Sequence, residues 1–426
     1  LLQCSTSRLQ RIVKAGIYGL GDLADRSVTL RKRSGWPVPE GSAMPTAASG
    51  PDNRLILFPY AGDAMGGSVG SSFLLIQELL ERNRRVVLAF HGEGAASELA
   101  RKRGFPSMQL PALGRVPEME RNDGFRLGNY ASLGATVGAI RSSGAALVHV
   151  NDKRMLRTYT LPALLTRRVL LNHWRSVYKP SLSVDLGLRV ARKSVSVSQY
   201  SLDLLPPWAQ AQAEVVYNPF QVASVPPDSR RRLREQASIP ADAAVIGCFG
   251  TLHRRKRPSM MFDILDRIEK TRDGRPVHGL VCGGWVEPRD AAFEAGIAAG
   301  RHADRLVWTG HVDNAMEWMA ACDAIVLPAV DEPLSRVGVE AQSLGIAPIV
   351  SSDGGLKEVV EHGVSGFVVD PYEMEGWIGH VRRMIDEPEV RGRMAEASIA
   401  AAARLSVAKH VDRISAIHDE LLPPTG

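Results

Sequence analysis

From residue 55 onward, short runs of valine, isoleucine and leucine alternate with longer stretches whose apolar residues recur at helical spacing. A strand buried on both faces of a parallel sheet reads as a continuous apolar run, and a crossover helix follows it. This pattern predicts strands at 55–59, 86–90, 147–150, 169–172, 195–198 and 215–217, and a helix over 72–80. A second series predicts strands at 245–249, 279–282, 306–309, 324–327, 347–350 and 367–369. Between them, 219–243 carries Pro226, Pro227, Pro240 and the basic run 230–234, a composition suited to a connection with one short helix.

At 426 residues the chain is too long for one ordinary core. The reading is α/β: 1–51 an irregular basic extension and linker, 52–220 an N-terminal Rossmann-like domain, 221–243 the interdomain connection, 244–404 a C-terminal Rossmann-like domain, and 405–426 a C-terminal helix and tail. Sheets of this kind bind ligands at the carboxyl ends of their strands, so the chemistry is sought in strand-to-helix loops facing an interdomain cleft.

Composition narrows the class. With 45% hydrophobic and 23% charged residues, gross disorder is excluded. Cys4, Cys248, Cys282 and Cys322 lie far apart without a C-x-x-C pair, so no zinc site or disulfide framework is expected, and a reducing, cytoplasmic compartment fits best. No apolar stretch approaches the roughly 18–20 residues of a membrane span, and the first residues lack a signal-peptide pattern, so secretion is not expected. A net charge of +6 favours anionic partners. The stretch 153–193 holds ten cations against Asp185 alone, which is read either as a solvated face or as a surface for anionic lipid or a lipid-linked acceptor.

Three loops carry candidate chemistry. After the first strand, Gly62, Gly66, Gly67 and Gly70 precede a helix; glycines there let backbone N–H groups approach phosphate, and a structural turn is an equal reading. After the first strand of the second series, Thr251 is followed by Arg254, Arg255, Lys256 and Arg257, a cluster suited to a diphosphate that gains charge as a glycosidic bond breaks, or else a basic run on the surface. The third loop holds Glu332 and Glu340 with seven residues between them, and Pro333 and Ser335 mark the start of a helix. Carboxylates accept hydrogen bonds from sugar and ribose hydroxyls, while the N–H groups of Ser335, Arg336 and Val337 suit phosphate oxygens.

These residues carry a resemblance. The order of Gly66-Gly67, Val216-Tyr217-Asn218-Pro219, the loop 250–256, Gly310-His311-Val312, 323–328, the Glu332 and Glu340 pair, Gly354-Gly355-Leu356-Lys357-Glu358 and Gly363-Val364-Ser365-Gly366 resembles glycosyltransferase family 4, the retaining GT-B enzymes, over most of 55–404. The resemblance implies two facing Rossmann-like domains with a deep interdomain cleft. It implies a donor site in which Glu332 contacts sugar hydroxyls, Glu340 the ribose, Lys256 the diphosphate, His173 the neighbourhood of the reacting sugar, and the main chain at Val312 the base; a helix-surface carboxylate at Glu340, a satisfied core histidine at His173 and a plain turn at Val312 are the other readings of these residues. The arginine usually found five residues before the lysine is Thr251 here, and Arg254 or Arg255 is the candidate replacement. The implied reaction moves a sugar from a nucleoside-diphosphate donor to a glycan or lipid-linked acceptor hydroxyl, with retention, without metal or other cofactor and without nucleic acid.

Two other classes compete. An NAD-dependent oxidoreductase would use Gly62 to Gly70 as its fingerprint and Glu93 as its acidic residue, but the glycine spacing is poor and Glu332, Glu340 and Lys256 go unexplained. A GT-B sugar epimerase or hydrolase shares the fold, and a non-catalytic sugar-nucleotide or glycan-binding protein is made credible by Thr251.

Overall fold

The computed structural model describes residues 54–62, 66–113, 132–221 and 224–422. The extension 1–51 and residues 423–426 of the expected tail lie outside them, as do residues 63–65 of the glycine loop.

The first sheet has seven parallel strands: β1 (Ile56–Tyr60), β2 (Val86–Phe90), β3 (Ser107–Gln109), β4 (Leu147–Val150), β5 (Val169–Trp174), β6 (Lys193–Ser196) and β7 (Ala213–Val215), in spatial order β3-β2-β1-β4-β5-β6-β7. Its helices are α1 (Gly67–Glu81), α2 (Ala95–Lys102), α3 (Leu133–Ser143), α4 (Lys153–Thr166), α5 (Leu182–Val190), α6 (Gln199–Asp203) and α7 (Pro207–Gln210). Strands β1, β2 and β4 are buried throughout, which is why they show as unbroken apolar runs.

After α8 (Ser229–Gln236), the second sheet has six parallel strands: β8 (Ala244–Phe249), β9 (Val277–Cys282), β10 (Leu306–Gly310), β11 (Ala324–Leu327), β12 (Pro348–Ser351) and β13 (Phe367–Val369), in order β10-β9-β8-β11-β12-β13. Around it lie α9 (Met260–Arg267), α10 (Ala291–Ala298), α11 (Ala315–Ala320), α12 (Arg336–Ser343), α13 (Met374–Asp386) and α14 (Pro388–Ala403). Two Rossmann-like sheets in one chain are the GT-B arrangement. Strand order reverses beside β1 and β4 in one sheet and beside β8 and β11 in the other, and these switch points are where such sheets take ligands.

Several expected boundaries shift. The second strand from the end of the first sheet was expected at 195–198 and runs Lys193–Ser196, because Ser198 leaves the sheet to cap α6 and its Oγ accepts from Ser201 N at 3.1 Å. The last was expected at 215–217 and runs Ala213–Val215, in register with β6. The helix expected over 72–80 begins at Gly67, capped by Gly66. Strand β3 was not expected; three half-exposed residues on a sheet edge leave no apolar run to read.

The last helix, α15 (Val407–Leu421), returns to the first sheet. Its Val411, Ile414 and Ile417 are fully buried in the same core as Ile56, Phe58 and Leu75. The outgoing and returning chains run together where Phe220 N donates to Leu405 O at 3.0 Å, so the first domain is built from two pieces of chain.

Candidate functional site

At the carboxyl end of β8, the chain turns through a 3-10 segment, Arg254–Lys256. His253 caps it, its Nδ1 accepting from Arg255 N at 3.1 Å. The turn aims two cations at one carboxylate: Lys256 Nζ stands 2.8 Å from Glu332 Oε2, and Arg255 Nη1 donates to the same oxygen. Glu332 follows β11 and is 6% exposed. Burial alone would raise its pKa, but the charges of Lys256 and Arg255 outweigh burial and hold the carboxyl below its usual range.

The Glu332 loop is clamped from behind. Gly355 N donates to Glu332 O at 2.9 Å. Gly354 has φ +94°, and a Cβ there would fall 2.5 Å from Glu332 O; a Cβ on Gly355 would fall 2.0 Å from Pro333 O. Only glycine permits both the left-handed backbone and the approach.

Ser335 is the N-cap of α12 and is buried, and the first turn of the helix holds no acidic residue. Arg336 Nε pairs with Glu340 Oε1 at 3.2 Å. The same guanidinium crosses the cleft: Nη1 lies 3.3 Å from Ser71 Oγ, and a Cβ on Gly67 would sit 3.2 Å from Arg336 Cδ. Gly66 and Gly67 are exposed at the start of α1, so the glycine loop of one domain meets the Glu340 helix of the other. Val312 and Val337 are half-buried against one apolar cluster of the second domain. Thr251 is exposed and makes no contact with Glu332. Arg254 is exposed too, its main chain held by Pro288 O at 2.8 Å.

His173, read from sequence either as lying near the reacting sugar or as a core histidine, is fully buried at the end of β5, and the structure does not bring it to an accessible surface. Its ring stacks between His149 and His410, with Nδ1 3.4 Å from His149 Nε2 and 3.2 Å from Arg175 Nη2. The returning helix α15, which supplies His410 and His418, covers it.

Two further positions were given no individual role from sequence. Arg175 donates to Asn218 Oδ1, and burial lowers its pKa to about 9. Glu358, in the 3-10 turn Gly355–Glu358 of the second domain, accepts from the N–H groups of Gln199 and Tyr200 at 2.7 Å each and from Tyr217 Oη at 3.1 Å. That carboxylate caps α6 of the first domain across the domain boundary. A pocket of about 220 Å³ formed by residues including Tyr217, Arg404, Lys409 and Arg413 contains none of the donor-site candidates.

Residues 229–401 match the family model described as glycosyl transferases group 1. D-inositol 3-phosphate glycosyltransferase of Thermobispora bispora is 27% identical over 252 residues, 56% of this chain and 57% of that protein. Its counterpart in Corynebacterium urealyticum is 28% identical over 181 residues, 41% of this chain and 42% of that protein. The chain thus spans about half the length of the curated relatives it matches. Among solved structures, Anabaena Alr3699/HepE in complex with UDP-glucose covers 86% of this chain and 99% of its own, with a TM-score of 0.72 at 22% identity. A glycosyltransferase from Rickettsia africae covers 87% of this chain and 99% of its own, with a TM-score of 0.74 at 15% identity. The fold is GT-B, and residues 229–401 are similar to the glycosyl transferases group 1 family.

Proposed function

We propose that this protein is a retaining glycosyltransferase that moves a sugar from a nucleoside-diphosphate donor to an acceptor hydroxyl. The observation that carries the reading is the convergence of Lys256 and Arg255 on Glu332, at the switch point of the second sheet and in the loop that opens α12. In this arrangement the carboxylate holds the two cations in place. With a donor bound, Lys256 and Arg255 turn to the diphosphate, joined by the N–H groups at Ser335, Arg336 and Val337 and at Gly66 and Gly67, while Glu332 accepts from sugar hydroxyls and Glu340 from the ribose. Arg255, rather than Arg254, takes the place of the guanidinium that Thr251 lacks, since of these two arginines Arg255 is the one paired with Glu332.

In this reading the bond from the anomeric carbon to the leaving phosphate oxygen breaks, and the acceptor oxygen bonds on the same face. The hydroxyl proton passes to the departing phosphate, whose growing charge is stabilised by fixed cations. Among the described residues no group of three or more His, Cys, Asp or Glu is placed to hold a metal ion, and the proposal assigns the phosphate charge to Lys256 and Arg255 without a cofactor.

HepE has been solved with UDP-glucose, so UDP-sugars are the first donors to test. The curated relatives are named for D-inositol 3-phosphate, which makes a phosphorylated polyol the first acceptor, with glycan and lipid-linked hydroxyls next. The buried free thiols of Cys248, Cys282 and Cys322 fit the cytoplasm, and the reading puts the reaction at its membrane face. A thermal-shift screen of UDP, GDP and ADP and their sugar conjugates tests the donor site: stabilisation by one nucleotide that is lost in Glu340→Ala supports it, and no shift from any nucleotide refutes it.

A further inference from the structure

Four of the large apolar side chains exposed among the described residues lie on two neighbouring helices of the first domain: Leu164 (50% exposed) and Leu165 (51%) on α4, and Leu182 (73%) and Leu186 (39%) on α5. The two helices are side by side, with Gly187 pressed so close to α4 that a Cβ would fall 2.7 Å from Leu156 Cγ. On α5, Ser183, Val184, Gly187 and Leu188 are buried, leaving Leu182, Leu186 and Arg189 on the outward face at spacings of four and three. On α4 the outward stripe is Leu161, Leu164, Leu165 and the following Arg168. One helix layer therefore presents two parallel stripes of leucine that end in arginine.

The charge around the leucines is lopsided, although less so than the sequence suggests. Of the ten cations in 153–193, Lys193 is taken by Glu214 and Glu420, and Arg175 is turned to Asn218 and His173. Arg167, Arg168, Lys179, Arg189 and Arg192 are exposed. The single carboxylate of the stretch, Asp185, accepts from Tyr178 Oη at 2.6 Å.

We propose that the outward face of α4 and α5 is a peripheral docking surface for an anionic lipid bilayer, with the leucines entering the acyl boundary and the five cations holding headgroup phosphates. A soluble anion would leave the leucines unexplained, and an apolar partner would leave the cations unexplained. The bilayer interface offers both chemistries in that order of depth. No helix among the described residues is long and apolar enough to cross a membrane, which fits attachment at the surface. Leu164 and Leu165, which close α4 ahead of β5, lie at the far end of the first sheet, while Leu182 opens α5 after the loop that follows β5, so the α5 end of the leucine face lies at the end of the sheet that faces the cleft. That end is where a lipid-borne acceptor would arrive; this last step alone rests on the glycosyltransferase reading.

The test is co-sedimentation of the full chain with vesicles of phosphatidylcholine alone and of phosphatidylcholine mixed with phosphatidylglycerol, across a salt series. The wild type should sediment with the anionic vesicles only, and less as salt rises. The double variant Leu182→Ser/Leu186→Ser should lower partitioning about tenfold, and Arg167→Glu/Arg168→Glu should remove the preference for anionic lipid. Thermal shift by nucleoside diphosphate, measured on the same samples, reports that the variants are folded and the donor site intact. Absence of wild-type binding, or variants that bind as the wild type does, overturns the docking surface even where nucleotide binding persists. Vesicle binding without any nucleotide response would instead sink the enzymatic reading and leave the surface standing. A dimer in sedimentation velocity that the leucine variant dissolves would assign the face to a second copy of the chain and overturn the proposal.

Discussion

Lys256 Nζ stands 2.8 Å from Glu332 Oε2, in a pair that Arg255 completes from the exposed side. Removing the carboxylate leaves two cations without their counter-ion. Glu332→Gln should therefore bind free nucleoside diphosphate at least as tightly as the wild type, because the phosphates no longer compete with an internal anion. It should nonetheless lose sugar transfer about 100-fold or more, as expected when a group aimed at the reacting sugar is removed. Calorimetric titration with the nucleotide beside a turnover assay reads both halves.

Lys256→Ala should behave differently, with weaker nucleotide binding and turnover lower by about 10²–10³-fold, the usual cost of deleting one preorganised donor to developing charge. Thr251→Ala should change neither appreciably, since Thr251 makes no contact with Glu332 and Arg255 supplies the guanidinium.

Glu358 binds the two domains by accepting from Gln199 N, Tyr200 N and Tyr217 Oη. Glu358→Ala should cost about 1–3 kcal/mol, the range for losing hydrogen bonds to a charged group. Small-angle scattering of the nucleotide-free protein should show a larger radius of gyration than the wild type, and Glu358→Gln should fall between the two.

A methyl group on Gly355 has no room beside Pro333 O and Ser198 Cβ, 2.0 and 2.9 Å away. Gly355→Ala should lower stability by about 1–3 kcal/mol, the range for overpacking. It should also weaken donor binding, because the backbone that must move carries Glu332. Chemical denaturation and nucleotide titration check the two effects.

Stability should fall as pH drops below neutral. His149, His173 and His410 are held below the ordinary imidazole value, by burial first and then by His418 and Arg175 for His149 and by Arg175 for the other two; His410 is lowered to about 3. A base with a depressed folded pKa binds its proton only on unfolding, so its contribution is complete above about pH 6.5 and is lost as pH falls from there toward 3. Denaturation midpoints should therefore drop between about pH 7.5 and about pH 5. His410→Gln, whose amide can donate to Tyr217 O as the ring Nδ1 does at 2.8 Å, should flatten the slope.

What the sequence revealed and what it hid divide along contact range. Strands β2, β4, β11 and β13 lie where their apolar runs put them, because burial on both faces writes itself into consecutive residues. Gly354, Gly355 and the start of α12 at Ser335 were legible too, since caps and close approaches restrict residue type locally. His173 was not: a histidine at the end of a strand looks alike whether it faces a cleft or is roofed by a helix more than two hundred residues later. Glu358 was hidden for the same reason, its partner Gln199 lying 159 positions earlier. Of the ten cations in 153–193, sequence could not tell which are free to meet a partner, and Lys193 finds Glu420 from the far end of the chain.

The most direct measurement is release of nucleoside diphosphate from UDP-glucose by the wild type, Lys256→Ala and Glu332→Gln, with an acceptor panel led by phosphorylated polyols and the anomeric configuration of the product read by NMR. The wild type should release nucleotide only with an acceptor present, both variants should lose that release, and the product should keep the donor's configuration. An inverted product would contradict retention. Equal turnover in wild type and variants would contradict the central claim that Lys256, Arg255 and Glu332 form the donor site.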